Sequence, residues 1–270
     1  MGFYNLIVDL QPAGAIHITL NRPAARNALN GDLIRELLEA VRHTERLEGA
    51  RCLVLRGAGA VFCAGGDIHW LRNEGAGDFD ANLRDIQDLV LLLKTLNELP
   101  LPVLAVIQGA AIGGGLGLAA VADVAVCSAE TVFSLAEARL GLVPSCIGPF
   151  VLQKIGPSWT RRYMVTGERF DAPTARFMGL VHEVVPSADA LETEVARIVA
   201  SVLACAPQAV AATKTMLRCL SWPETRAGIG NWEGYAAEIF ARSRTAAEAR
   251  EGLAAFLEKR PPHWQKGASD

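Results

Sequence analysis

Two glycine-rich segments have the composition expected of backbone anion sites. Residues 62–68 read Phe-Cys-Ala-Gly-Gly-Asp-Ile, and residues 108–117 contain three consecutive glycines. Each segment follows an apolar run that predicts a buried strand, and each is expected to begin a helix. Glycine lets a ligand approach the backbone closely, and the first N–H groups of a helix are unpaired. We therefore predict that the two turns direct N–H groups at one oxygen that gains negative charge.

Other uses of the same glycines are weighed against this prediction. Taken singly, a glycine cluster after a strand is more often a site of tight packing. The second segment also lacks the Gly-x-Gly-x-x-Gly spacing of a dinucleotide site, and no acidic residue ends the next predicted strand. A dinucleotide site is therefore disfavoured.

Glu137 is the carboxylate that stands out as a candidate acid or base. It lies among apolar residues in segment 133–144. Burial in such surroundings raises a carboxyl pKa towards the range that suits proton transfer. An ion pair with Arg139 explains the same residues equally well. From the sequence both interpretations stay open.

The elements predicted around these groups alternate between strands and helices. Two β-rich runs separated by Gln-Pro-Ala-Gly predict a hairpin, and Asn30 is predicted to cap the helix after it. In chain order the predictions are strands at 6–10 and 15–20, a helix at 30–48, a strand at 52–55, a helix with Leu83, Ile86, Val90 and Leu93 on one face, and strands at 103–107 and 124–126. This alternation is typical of right-handed crossover units in an α/β fold.

The last third of the chain differs in character. From about Ser187 the sequence is rich in alanine and shows no strand pattern. We predict an α/β core over residues 1–186, which holds the site, and a helical region over residues 187–270.

Composition limits the classes of partner. The 270 residues carry a net charge of -3, which argues against nucleic acid as a main partner. The six cysteines are scattered and form no Cys-x-x-Cys pair, so metal and disulfide sites are not expected. We expect a cytoplasmic location, where cysteines stay reduced. No secretory signal is visible at the start. The uncharged stretch 99–122 is interrupted by prolines and glycines, so no membrane span is predicted there.

Six motifs, in order along nearly the whole chain, resemble the crotonase (enoyl-CoA hydratase/isomerase) superfamily. They lie at residues 21–29, 62–67, 113–115, 140–144, 166–170 and 251–260. The resemblance implies a spiral of ββα units followed by a helical trimerisation region, assembled as a trimer or a dimer of trimers. It also implies an acyl-CoA substrate and no separate cofactor, because coenzyme A is part of the substrate.

The resemblance assigns roles residue by residue. Gly66 and Gly114 match the two N–H donors of the oxyanion hole, and Glu137 matches a catalytic glutamate. Phe256 and Lys259 resemble a pair that reaches the CoA of a neighbouring subunit, although an ordinary helix end explains them too. Positions that line CoA in the family are matched by Arg26, Ala28, Ala64, Asp67 and Ile68.

One position departs from the family pattern. The best-known hydratases use a second glutamate, and Gly117 occupies its place. Three hypotheses follow: a hydratase that works with Glu137 alone, a Δ3,Δ2-enoyl-CoA isomerase, and a non-catalytic protein that binds CoA esters or RNA. The near-neutral charge counts against RNA.

Two segments favour the hydratase. Residues 113–118 and 136–151 resemble a methylglutaconyl-CoA hydratase-like branch that includes isohexenylglutaconyl-CoA hydratases of acyclic terpene degradation. The resemblance predicts hydration of a branched glutaconyl-type substrate such as isohexenylglutaconyl-CoA or 3-methylglutaconyl-CoA. The substrate's own carboxylate would need a polar partner, for which Arg139, His69 and Ser145 are candidates.

Overall fold

The short apolar runs form the strands of two sheets. The computed structural model describes residues 2–75, 77–222 and 228–265. The strands are β1 (Leu6–Leu10), β2 (Ala15–Leu20), β3 (Cys52–Gly57), β4 (Val103–Ile107), β5 (Ala110–Ile112), β6 (Val124–Ser128), β7 (Val132–Ser134), β8 (Arg169–Asp171) and β9 (Glu183–Val185). The larger sheet has the order β1-β2-β3-β4-β6-β9, and the smaller has the order β5-β7-β8.

The pairing of the strands confirms the predicted α/β class. β1 and β2 form the expected antiparallel hairpin, and β2, β3, β4, β6 and β9 then pair in parallel. In the smaller sheet β5 is parallel to β7, and β7 is antiparallel to β8. β3 and β4 are almost wholly buried, as continuous apolar runs in parallel strands predict.

Helices connect and cover the strands. They are α1 (Gly31–Arg46), α2 (Ile68–Gly75), α3 (Phe79–Glu98), α4 (Gly114–Val121), α5 (Gly148–Thr166), α6 (Ala172–Phe177), α7 (Ala190–Leu203), α8 (Pro207–Ser221), α9 (Trp232–Thr245) and α10 (Ala247–Leu257). The predicted cap is confirmed, because the Asn30 side chain accepts the Leu33 N–H. Short 3₁₀ turns occupy Pro23–Ala25, Glu137–Leu140 and His263–Gln265.

The predicted face of α3 is partly wrong. Leu83 and Val90 are exposed, whereas the helix buries Leu89, Leu92, Leu93 and Leu96. The second half of α3 has leucines on more than one side, so apolar spacing alone does not determine which side faces the core.

The central strands β3, β4 and β6 of the larger sheet are buried on both faces. The main core joins one face to α1, α3, α4 and α5, and a smaller cluster joins the other face to α7 through Leu191, Val195 and Ile198. α7 therefore packs on the sheet although it lies after residue 187, and the division into 1–186 and 187–270 stays a prediction. Within the described ranges no single helix is long and apolar enough to span a membrane; α7 and α8 meet that test only as a pair bent by 100°.

Candidate active site

The second glycine segment places Gly114 at the start of a helix. β5 ends at Ile112, Gly113 follows with φ +49°, and Gly114 is the first residue of α4. The Gly113 N–H donates to the Ser134 carbonyl on β7, which ties the turn to the smaller sheet. The N–H of a first helical residue has no partner within the helix. The Gly114 N–H is therefore a donor whose position is fixed by the start of α4.

The first glycine segment places Gly66 on a short β-bridge. Leu29 donates its N–H to the Gly65 carbonyl and accepts the Asp67 N–H, at 2.7 and 2.8 Å. In this parallel bridge the backbone groups of Gly66 face away from Leu29 and take no part in the pairing. Gly65, at φ +91°, makes the turn that allows this.

Both glycines and Glu137 line one cavity of about 250 Å³. Leu29 lies between the two glycine segments. Its backbone forms the bridge with Gly66, and its Cδ1 atom lies 2.8 Å from the position of a Cβ added at Gly114. Sequence reasoning did not single out Leu29. The remaining lining is mostly apolar and comprises Trp70, Leu71, Ile86, Leu89, Leu142, Val143, Pro144, Ser145, Cys146 and Ile147.

The Glu137 carboxylate lies against the second glycine segment. Its Oε1 atom is 2.7 Å from the position that a Cβ on Gly113 would take, so only glycine leaves room for it. Desolvation by burial raises the pKa of Glu137 above its ordinary value of 4.5. Its Oε2 atom is buried and has no hydrogen-bond partner in the described part of the chain. The carboxylate of this cavity-lining residue thus has one oxygen without a protein partner.

The alternative of an ion pair with Arg139 is not what the structure shows. Among the described residues the ion pairs include none between Glu137 and Arg139. Instead the Arg139 side chain packs over Gly167, with its Nε atom 3.0 Å from the position of an added Cβ. Burial is therefore the main cause of the raised pKa of Glu137.

Ile147 occupies the space next to Gly117, where the family's other glutamate is expected. A Cβ added at Gly117 would lie 2.4 Å from Ile147 Cγ2 and 3.8 Å from Leu93 Cδ2. Gly117 and Ile147 are both buried. The second carboxylate is therefore replaced by an apolar contact, and no side chain fits at this position without displacing Ile147.

Gly117→Ala is expected to lower the free energy of unfolding by about 1–3 kcal/mol, because the added methyl overpacks the core. Urea denaturation measures the change. Gly148→Ala is the matched control, since no atom lies within 4 Å of its added Cβ. Combined with Ile147→Ala, the loss should be smaller than the sum of the losses of the two single variants, because each change makes room for the other. Equal stability of the Gly117→Ala and Gly148→Ala variants would show that Ile147 does not pack tightly against Gly117.

Three of the five predicted CoA-lining residues, Ala64, Asp67 and Ile68, lie within the first glycine segment. The Ala64 N–H donates to the Arg26 carbonyl, and Ile68 begins α2 directly after Asp67. Ala28 is buried, whereas Arg26 and Ile68 are exposed. Their contact with CoA stays a prediction.

Two positioning residues in this region were missed by the sequence analysis. The Arg22 guanidinium donates to the Ala28 carbonyl and forms a 3.0 Å ion pair with Asp67. The buried Asn27 side chain accepts the Arg22 N–H and donates to the carbonyls of Ala58 and Val61. Both residues lie in the Asn-Arg-Pro-x-x-x-Asn motif, so the motif contained a signal for their role.

Several other candidates are not brought into the cavity. Phe256 and Lys259 lie at the end of α10, where Phe256 is 82% exposed, and their predicted contact with a neighbouring subunit stays a prediction. Of the three candidate partners for a substrate carboxylate, Ser145 lines the cavity and Arg139 and His69 do not. Within the described ranges, no Lys, Arg or His lines it.

Comparisons with known proteins agree with this geometry. The enoyl-CoA hydratase/isomerase family matches residues 11–267. A probable enoyl-CoA hydratase of Rhodobacter capsulatus is 35% identical, over 98% of this chain and 99% of its own. An enoyl-CoA hydratase of Shewanella pealeana has a TM-score of 0.90 at 34% identity, over 97% and 96% of the two chains. AtuE of Pseudomonas aeruginosa has a TM-score of 0.88 at 37% identity, over 96% and 99%.

The family match covers more than half of the chain, and the relatives align along nearly its whole length. Gly66, Gly114 and Glu137 lie around one cavity in the fold that these relatives share. The chain belongs to the enoyl-CoA hydratase/isomerase family of the crotonase superfamily.

Proposed function

We propose that this protein is an enoyl-CoA hydratase that adds water across the 2,3-double bond of an acyl-CoA thioester. One observation carries the proposal: a buried carboxylate with a free oxygen, that of Glu137, lines the same cavity as Gly66 and Gly114. No separate cofactor is needed, because the protein supplies the donors and the base and CoA arrives with the substrate.

The chemistry follows from these three residues. The N–H groups of Gly66 and Gly114 donate to the thioester oxygen, which gains charge as an enolate forms. Glu137, ionised, takes a proton from water while the water oxygen bonds to the β-carbon. The protonated Glu137 then delivers that proton to the α-carbon, and the enolate returns to the thioester. One carboxylate is sufficient because it gives back the proton it receives.

The hydration rate is expected to fall at low pH with an apparent pKa above 4.5. Glu137 must be ionised to accept the proton from water, and burial raises its pKa. In a profile of kcat/KM against pH, activity should therefore be lost on acidification before an ordinary glutamate would protonate. A profile that stays flat down to pH 4.5 would contradict the assignment of Glu137 as the base.

An activity screen tests the proposal against its two alternatives. Purified protein is offered a trans-2-enoyl-CoA and a cis-3-enoyl-CoA, and we expect water uptake with the former only. Turnover of the cis-3 ester to the trans-2 ester would instead identify an isomerase. Salt-dependent binding of RNA without turnover of either ester would favour a non-catalytic role.

For the substrate we propose a branched glutaconyl-type ester, such as isohexenylglutaconyl-CoA or 3-methylglutaconyl-CoA, used in acyclic terpene or leucine degradation. The resemblance of segments 113–118 and 136–151 supports this choice. Ser145 offers a hydroxyl to the substrate's carboxylate inside the cavity. A comparison with crotonyl-CoA and 3-methylcrotonyl-CoA tests it, and a preference for the uncharged esters would refute it.

We also propose that the chain assembles as a homo-oligomer, a trimer or a dimer of trimers. The last helices support this by their large exposed apolar side chains, which are Trp232, Phe240, Leu253, Phe256 and Leu257. Such a surface is unusual for a monomer. The molar mass from light scattering after gel filtration distinguishes a monomer, a trimer and a dimer of trimers.

A further inference from the structure

Trp70, one of the residues that line the cavity, carries an unpaired hydrogen-bond donor. It lies on α2 and lines the cavity together with its neighbour Leu71. The indole Nε1 atom is buried and has no hydrogen-bond partner among the residues that the structure describes. The tryptophan is partly buried and packs against the main core, so the ring is held by its surroundings.

An indole N–H is only a donor, and leaving it buried without an acceptor is unfavourable. Buried polar groups are nearly always paired, so an unpaired one at a binding cavity indicates a partner supplied from outside. Pockets for small molecules are typically apolar with a few polar groups that fix orientation and specificity. Trp70 fits that description.

The position of Trp70 separates it from the proton-transfer machinery. α2 and α3 pack against each other, and Trp70 shares this part of the lining with Leu71, Ile86 and Leu89. Of the cavity-lining residues described on α2 and α3, only Trp70 carries a side-chain donor. Glu137 belongs to a different segment, which also supplies Leu142 to Ile147. An apolar wall with one donor is suited to a hydrocarbon chain that carries one acceptor.

We infer that the Trp70 Nε1–H donates to an oxygen on the acyl group other than the thioester oxygen, and so selects 2-enoyl-CoA esters whose acyl group bears such an acceptor. A carboxylate is the strongest acceptor of this kind. The inference rests on the proposed hydratase function. It adds a specificity-determining residue that the family motifs did not assign.

The test compares two substrates that differ by one carboxylate, 3-methylglutaconyl-CoA and 3-methylcrotonyl-CoA. Trp70→Phe removes the N–H and keeps an aromatic ring. We expect it to lower kcat/KM for the carboxylated ester by about 10- to 100-fold, the value of a hydrogen bond to a charged group. The uncharged ester should change by less than about threefold. The ratio within one preparation does not depend on the fraction of folded enzyme.

Trp159→Phe is the matched control, because Trp159 stacks on Tyr163 and does not line the cavity. It should leave the ratio of the two kcat/KM values unchanged. An equal loss on both esters in Trp70→Phe would overturn the inference, since it would indicate that Trp70 orients water or shapes the cavity. No loss on either ester would overturn it as well.

Binding of saturated esters separates this inference from the proposed function. Dissociation constants of 3-methylglutaryl-CoA and isovaleryl-CoA do not depend on turnover. If the wild-type protein hydrates nothing yet binds the carboxylated ester more tightly, and Trp70→Phe removes that preference, the hydratase proposal fails and the role of Trp70 stands. Equal binding of the two esters by the wild-type protein would overturn the role of Trp70.

Discussion

Glu137→Gln should lower kcat for hydration by about 10²–10⁴-fold, the usual contribution of a positioned acid–base group. The amide has nearly the same shape but cannot accept a proton from water and return it to the α-carbon. Because Gly117 supplies no second carboxylate, no other carboxylate among the described lining residues can take over this transfer. Steady-state hydration of a 2-enoyl-CoA measures the effect.

The same variant has a second expected result that distinguishes loss of chemistry from loss of fold. The raised pKa of Glu137 means that its charged form destabilises the folded protein above that pKa and no longer does so below 4.5. Glu137→Gln should therefore unfold at a higher temperature than the wild type at neutral pH, and this advantage should shrink on acidification. Glu130→Gln, at an exposed site, is the control for both measurements. Retention of most of kcat by Glu137→Gln would contradict the mechanism.

Gly114→Pro should lower kcat by about 10²–10³-fold, the usual effect of losing one oxyanion-hole donor. Proline has no N–H, and its fixed φ is tolerated at the first position of a helix, which Gly114 occupies. The substitution therefore removes the donor with little change to α4. Values of kcat measured at saturating substrate test the expectation.

Gly114→Ala is the matched control for this experiment. Alanine and proline both add a Cβ that must displace Leu29 Cδ1, 2.8 Å away at the end of a flexible side chain. Only proline also removes the N–H, and its ring carbon Cδ takes the place of that hydrogen. The ratio of the two kcat values therefore measures the loss of the donor together with any crowding of the thioester oxygen by the ring. A similar kcat for the two variants would show that the Gly114 N–H does not stabilise the enolate.

Apolar runs and turn residues were enough to predict the strands, the hairpin and the Asn30 cap, because these depend on local patterns. The phase of α3 was not predictable, since its leucines lie on several sides and packing against α1 and the cavity decides which are buried. The choice between a free Glu137 and an ion pair with Arg139 was also not local. It depends on Gly167, which lies far along the chain and packs against the Arg139 side chain.

The site residues likewise fall into those that local patterns and motifs predict and those that depend on long-range contacts. The glycine segments and Glu137 were found from composition and family motifs, and the structure places them at one cavity. Leu29, Ile147 and the Trp70 N–H were missed, because an apolar residue or a single tryptophan has no sequence pattern that marks it as part of a site. Their positions follow from long-range contacts, such as the bridge between Leu29 and Gly66.

The contact between Gly117 and Ile147 limits how this enzyme can evolve. A glutamate at position 117 would collide with Ile147, and a smaller residue at 147 alone would leave a cavity in the core. Each change is costly without the other, so a mutational route to a two-carboxylate site passes through destabilised intermediates. With this pair of residues in place, changes to Glu137 and the residues around it are the less costly way to alter the proposed hydration.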